Sequence, residues 1–211
     1  PERIFVTGAP GLDAIYKVKL SERGALFGTY NLDPDKPLLM VLFHPVVQQA
    51  DEAREQMCAL LGAATESGMQ SLVILPNADA GGQIITEVIR DYADRQQIST
   101  ALHVSRGDYL SLLAYAEVMA GNSSSGIIEA ASLNTPVVNV GDRQRCRERN
   151  ANVIDVAPVK ADIAAALASA RKMSGQTWPN IYGDGRASER IVEHLVTISL
   201  APEILEKVNA Y

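Results

Sequence analysis

The sequence predicts an α/β fold, with a doubly wound parallel sheet of about six strands covered by helices on both faces. Three observations carry this expectation. Short continuous apolar runs recur along the chain, each is followed by apolar residues at helical spacing, and the alternation persists without a long repeat or a low-complexity tract. Strands that are hydrophobic throughout belong to a buried parallel sheet, which needs helices above and below it.

Residues 1–36 are turn-rich, with one small strand-like piece at Ile4 to Thr7; they read as a lead-in, suited to an interdomain connection, before a domain at 37–211. Pro37 to Phe43 (PLLMVLF) is the first strand, and Gln48 to Gly68 the first helix, its apolar stripe running through Ala53, Met57, Leu60 and Leu61. The same pair recurs as QSLVILP then GGQIITEVIRDYADR, ISTALHV then DYLSLLAYA, and EVMAG then SGIIEAASL. PVVNV and NVIDV supply two more strands before the helix ADIAAALASARKM. Ala187 to Leu200 and Pro202 to Val208 read as two closing helices, the second begun by a Pro in its first turn. The pattern is Rossmann-like.

Composition narrows the function. At 211 residues, 47% of them apolar and 21% charged, the chain suits one ordered domain, and no apolar run approaches the roughly 18 residues that would span a membrane. A net charge of −6 argues against nucleic acid as a partner. Cys58 and Cys146 are too few for a disulfide framework, and His44, His103 and His194 show no metal-ligand spacing, so a cytoplasmic protein without a metal is expected. No secretory signal is visible, and the chain starts at Pro1, as a trimmed piece of a longer one would.

The stretch GNSSSGIIEA, Gly121 to Ala130, is the main candidate site. In the commonest six-stranded order ligands bind between the first and fourth strands, which end here in FHP and GNSSSG, so His44 and the serine loop should flank one crevice. A nucleophile elbow is excluded: Ser123 lacks the glycine two places after it, and Ser124 the glycine two places before it. No P-loop and no G-x-G-x-x-G is present. What the loop offers is backbone N–H groups and hydroxyls at a helix start, which suit phosphate, with Glu129 one turn on, beside Ser125 or Gly126, able to accept both hydroxyls of a ribose. The alternative is that Ser125 merely caps the helix and Glu129 is solvated. Arg143, Arg145, Arg147 and Arg149 follow the fifth strand, and alternation in an extended loop would aim all four to one side.

GNSSSGIIEA followed by a strand and GDRQRCR, with FHP upstream, VTGAPGLDAIY at the start, LPNADAGG in the middle and YGDGRASERI near the end, resembles the carboxyl-terminal half of the UDP-N-acetylglucosamine 2-epimerase family, hydrolysing branch. The resemblance covers essentially the whole chain and implies the second domain of a glycosyltransferase-B fold. It implies that Ser124, Ser125 and the adjoining Gly126 hold the pyrophosphate, Glu129 the ribose, and His44 the pyrophosphate near the leaving oxygen. It also implies that the loop from His103 through Val104 to Tyr109 holds the uracil, with Arg143 and Arg147 among the nucleotide-binding residues. The implied partners are UDP or a UDP-amino sugar and an amino-terminal domain that carries the acidic catalytic residues. No cofactor is implied, a homo-oligomer is compatible with the sequence, and a glycosyltransferase of the same fold is the alternative enzyme. The family usually has glycine where this chain has Cys146.

Overall fold

The computed structural model describes residues 4–77 and 79–199. Six strands form one sheet: β1 (Leu38–Leu42), β2 (Gln70–Ile74), β3 (Ser99–Ala101), β4 (Val118–Gly121), β5 (Val137–Val140) and β6 (Val153–Val156). Their order is β3-β2-β1-β4-β5-β6, and every neighbouring pair is parallel. The helices among the described residues are α1 (Arg23–Thr29), α2 (Ala53–Glu66), α3 (Gly82–Asp94), α4 (Arg106–Tyr115), α5 (Ser124–Ile128), α6 (Lys160–Arg171) and α7 (Ala187–Thr197).

The two-residue alternation of a strand divides the central strand between two cores. Leu39 and Val41 of β1 face one core, with Met57, Leu60 and Leu61 of α2, Ile85 and Ile89 of α3, and Ile163 and Leu167 of α6. Leu38, Met40 and Leu42 face the other, with Phe27 of α1 and Leu112 and Leu113 of α4. Each fully buried aliphatic or aromatic side chain contributes roughly 1.5–3 kcal/mol. A strand covered on both faces must be apolar at every position, as LLMVL is.

Four elements differ from expectation. Ile4 to Thr7 form no strand: Ile4 and Val6 are exposed and no neighbouring strand pairs with them. The lead-in instead holds helix α1, whose first N–H groups, on Gly24 and Ala25, donate to the Glu22 carboxylate. Its Phe27 is fully buried. β3 is three residues long because it is an edge strand whose register with β2 runs only from Ser99 to Ala101. SGIIEAASL does not make one helix. Asn150 Nδ2 donates to the Ile127 carbonyl at 3.0 Å and Asn180 Nδ2 to that of Ile128 at 2.7 Å, which takes the acceptors a continuing α-helix would use. The chain tightens into a 3-10 turn at Ala130–Leu133.

The two ends are clasped together. Ala9 N–H donates to the Tyr182 carbonyl at 2.7 Å, and the Asp13 carboxylate accepts from the N–H groups of Ala187 and Ser188, at 3.0 and 2.7 Å, at the start of α7. The expected helix from Ala187 therefore exists, ending at Thr197, while Pro202 to Val208 lies outside the described residues.

Candidate nucleotide site

The order of the sheet reverses between β1 and β4, so the carboxyl ends of these two strands border the crevice. Their approach there is closer than any side chain would allow. Gly121 has φ +133°, and a Cβ on it would collide with the Leu42 carbonyl oxygen. The next residue, Asn122, is buried and extends the ladder with its side chain: the His44 N–H donates to its Oδ1 at 2.7 Å, and its Nδ2 donates to the His44 carbonyl at 2.8 Å. The Asn122 carbonyl in turn accepts from Arg143 Nη1 and Gln144 Nε2.

His44 is thereby fixed at the mouth of β1. Its Nδ1 accepts from the Asn77 N–H at 3.3 Å, which leaves the proton of the neutral ring on Nε2 as a donor. Burial, and then the nearby Arg143 guanidinium, hold its pKa below the ordinary value.

Beside this corner lies a cleft of about 620 Å³ with Val104, Arg106, Tyr109, Ser124, Ser125 and Glu129 among its walls. Ser123, not Ser125, caps α5, accepting from the Ser125 N–H. That frees the Ser125 hydroxyl, which donates to Glu129 Oε2 at 2.6 Å. Glu129 is not solvated: its side chain is 16% exposed and Arg106 forks it, Nη2 to Oε1 at 2.7 Å and Nη1 to Oε2 at 3.1 Å. The Tyr109 hydroxyl is buried beside Ser125, and burial pushes its pKa up to about 12. A cavity of about 470 Å³ between α2 and α6, with Met69 and Glu117 in its wall, lies at the amino ends of the strands, where an open α/β sheet does not place its ligand.

The fold thus gathers His103, Val104, Tyr109, Ser124, Ser125 and Glu129 around one cleft; His44 and Arg143 are not among its walls but are tied to Asn122, the residue before its Ser123, and Arg143 lines a separate pocket with Pro45 and Asp79. Gly126 lies beneath, where a Cβ would stand 3.0 Å from Val137, so its missing side chain serves the packing of α5 on the sheet. The arginines do not share one side. Residues 142–146 form turns instead of an extended loop, Arg149 pairs with Asp155, and Arg147 stands exposed away from the cleft walls. Arg106, Asn122 and Gln144 escaped the sequence reading. Their roles depend on partners 22 to 78 positions away, although Arg106 lies inside the segment from His103 to Tyr109 that the resemblance assigns to the base.

Residues 1–196 match the family model described as UDP-N-acetylglucosamine 2-epimerase. The chain belongs to this family. It is 45% identical over 210 residues, all but one of its own, to the UDP-N,N'-diacetylbacillosamine 2-epimerase (hydrolyzing) of Legionella pneumophila, covering 56% of that protein. It is 31% identical over 157 residues to the GDP/UDP-N,N'-diacetylbacillosamine 2-epimerase (hydrolyzing) of Campylobacter jejuni, covering 73% of this chain and 41% of that one. The chain spans about half the length of the curated relatives it matches. Among solved structures, the UDP-GlcNAc 2-epimerase of Neisseria meningitidis bound to UDP-GlcNAc superposes with a TM-score of 0.74 at 16% identity, over 93% of this chain and 56% of that one. The Methanocaldococcus jannaschii UDP-GlcNAc 2-epimerase, in complex with UDP-GlcNAc and UDP, gives 0.73 at 19% identity, over 92% and 55%. The fold is the carboxyl-terminal half of a glycosyltransferase-B arrangement.

Cys146 has φ +68°, in the left-handed region that a side chain disfavours by roughly 1–2 kcal/mol. The backbone keeps the glycine-like turn although its residue is cysteine, and the thiol points into solvent.

Proposed function

We propose that this chain is the nucleotide-binding half of a hydrolysing UDP-N-acetylglucosamine 2-epimerase, acting on UDP-N-acetylglucosamine or a related UDP-amino sugar. One observation carries the reading: a carboxylate suited to a ribose diol, Glu129, lies beside a loop of hydroxyls, Ser124 and Ser125, at the reversal point of the sheet. Its two oxygens can accept two hydroxyls side by side. The serine hydroxyls, the Nε2–H of a neutral His44 and Arg143 then suit the diphosphate, and the segment from His103 to Tyr109 borders the space left for the base.

In this reading the sugar loses its C2 proton to a base of the amino-terminal half, the C1–O bond breaks, and the electron pair leaves on the diphosphate as UDP. His44 and Arg143 hold the departing oxygen's charge, and water then adds across the resulting 2-acetamidoglucal with inversion at C2. The names of the Legionella and Campylobacter relatives support the hydrolysing outcome.

Calorimetry with UDP and UMP tests the proposal. The added phosphate brings charge-assisted hydrogen bonds, each worth roughly 1.5–3 kcal/mol, so UDP should bind at least about tenfold more tightly than UMP. Glu129→Ala should weaken UDP but hardly change the affinity for 2',3'-dideoxy-UDP. Equal affinities for UDP and UMP would remove the diphosphate cradle from the proposal.

A further inference from the structure

The acceptor positions on Glu129 are nearly full before any ligand arrives. A carboxylate offers about four lone-pair sites, two on each oxygen. Among the described residues, Oε2 accepts from both Ser125 Oγ and Arg106 Nη1, whereas Oε1 accepts from Arg106 Nη2 alone. One position is open on Oε1 and none on Oε2. A diol that brings one hydroxyl to each oxygen must therefore evict a donor from Oε2.

The two donors differ in what eviction costs. Arg106 holds both oxygens in a charge-assisted fork, and losing it would also release the plane of the carboxylate. Ser125 makes one bond and reaches a new acceptor by rotation about a single torsion, and in a diphosphate ligand that acceptor arrives together with the diol. We infer that the Ser125 hydroxyl is shared between the two halves of the nucleotide: it turns from Glu129 to the diphosphate as the ribose takes its place, while Arg106 stays and positions the carboxylate. The inference rests on the nucleotide reading given above. Its consequence is energetic coupling. A nucleoside alone, or a diphosphate alone, must break the bond between Ser125 and Glu129 without using both groups it frees. A nucleoside diphosphate breaks the bond once and replaces both ends, so each half strengthens the hold on the other.

The test compares uridine, 2',3'-dideoxyuridine, UDP and 2',3'-dideoxy-UDP by NMR titration of this chain. Loss of the two hydroxyls should cost roughly tenfold more in the diphosphate pair than in the nucleoside pair, the scale of one hydrogen bond to a charged acceptor. In Ser125→Ala, or in Ser125→Gly should the first variant misfold, the two penalties should become equal. Arg106→Gln should shrink the penalty in the diphosphate pair, a difference between two ligands that a uniform loss of structure would leave unchanged. Equal penalties in the unaltered chain, or unequal ones that persist without the Ser125 hydroxyl, would overturn the sharing while leaving UDP binding intact. Failure of UDP to bind at millimolar concentration would overturn the nucleotide reading and this inference together.

Discussion

His44 shows how a single residue is tuned by its surroundings. Its main chain is pinned by Asn122, its Nδ1 accepts from Asn77, and burial followed by Arg143 lowers its pKa below the ordinary 6.5. Because the folded value lies below the unfolded one, the ring's stabilising contribution is complete above pH 6.5 and is lost as the pH falls through the folded value. An NMR titration should therefore place the His44 midpoint below 6.5, and Arg143→Gln should move it back up, since removing a neighbouring cation makes protonation easier. A midpoint unmoved by that substitution would assign the whole shift to burial. At this scale the serine loop, His44 and Glu129 were legible because a strand end and a run of small residues announce them. Arg106 was not, since an arginine in the first turn of a helix looks solvated until the fold brings Glu129, 23 positions on, against it.

Among the elements, α7 depends most on distant partners. Only Ala187 on it is buried, while Val192, Leu195 and Val196 are exposed, so its attachment relies on polar contacts at its first turn. The Asp13 carboxylate, held below its ordinary pKa first by its hydrogen bond with the Ser188 side chain, receives two N–H groups there, and Asp184, pulled down to about 2 by its hydrogen bonds from Arg190, locks the preceding turn. Both are depressed carboxylates, so their contribution is present above about pH 4 and is lost as the pH falls toward 2. Amide hydrogen exchange should show α7 loosening in that window ahead of the sheet, and Asp13→Ala should produce the same local loosening at neutral pH with β1 to β6 still protected. Simultaneous loss of the sheet would show instead that the clasp holds the core. The sequence offered VTGAPGLDAIY and YGDGRASERI as separate turn-rich stretches; that one caps the other across 174 positions is a tertiary fact.

For the whole molecule, the proposed reading gives the cleft groups that bind and, among the described residues, no carboxylate placed as a base for C2. Asp13 is spent on α7, Asp79 accepts from Asn77 Nδ2, and Asp108 accepts from the Tyr30 hydroxyl. A general acid or base typically contributes about 10²- to 10⁴-fold, so this chain should bind UDP yet release none from UDP-N-acetylglucosamine, and supplying the remaining half found in its relatives should restore release. A coupled assay for free UDP decides this. Release by the chain alone, abolished by changing one of its own carboxylates, would overturn the division of labour.

The sequence by itself determined the alternation of buried strands and amphipathic helices, because burial on both faces forces continuous apolar runs and burial on one stripe forces the helical period. It also determined where the serine loop and Glu129 lie along the chain. Tertiary structure alone decided that α5 stops at Ile128, that α1 exists, that the arginines scatter and that Arg106 and Ser125 meet on one carboxylate. The end of α5 and the fork on Glu129 turn on polar groups choosing partners 23 positions or more away, and α1 on Phe27 entering a core built by later elements; contacts between distant segments leave no period in the chain for a reader to find.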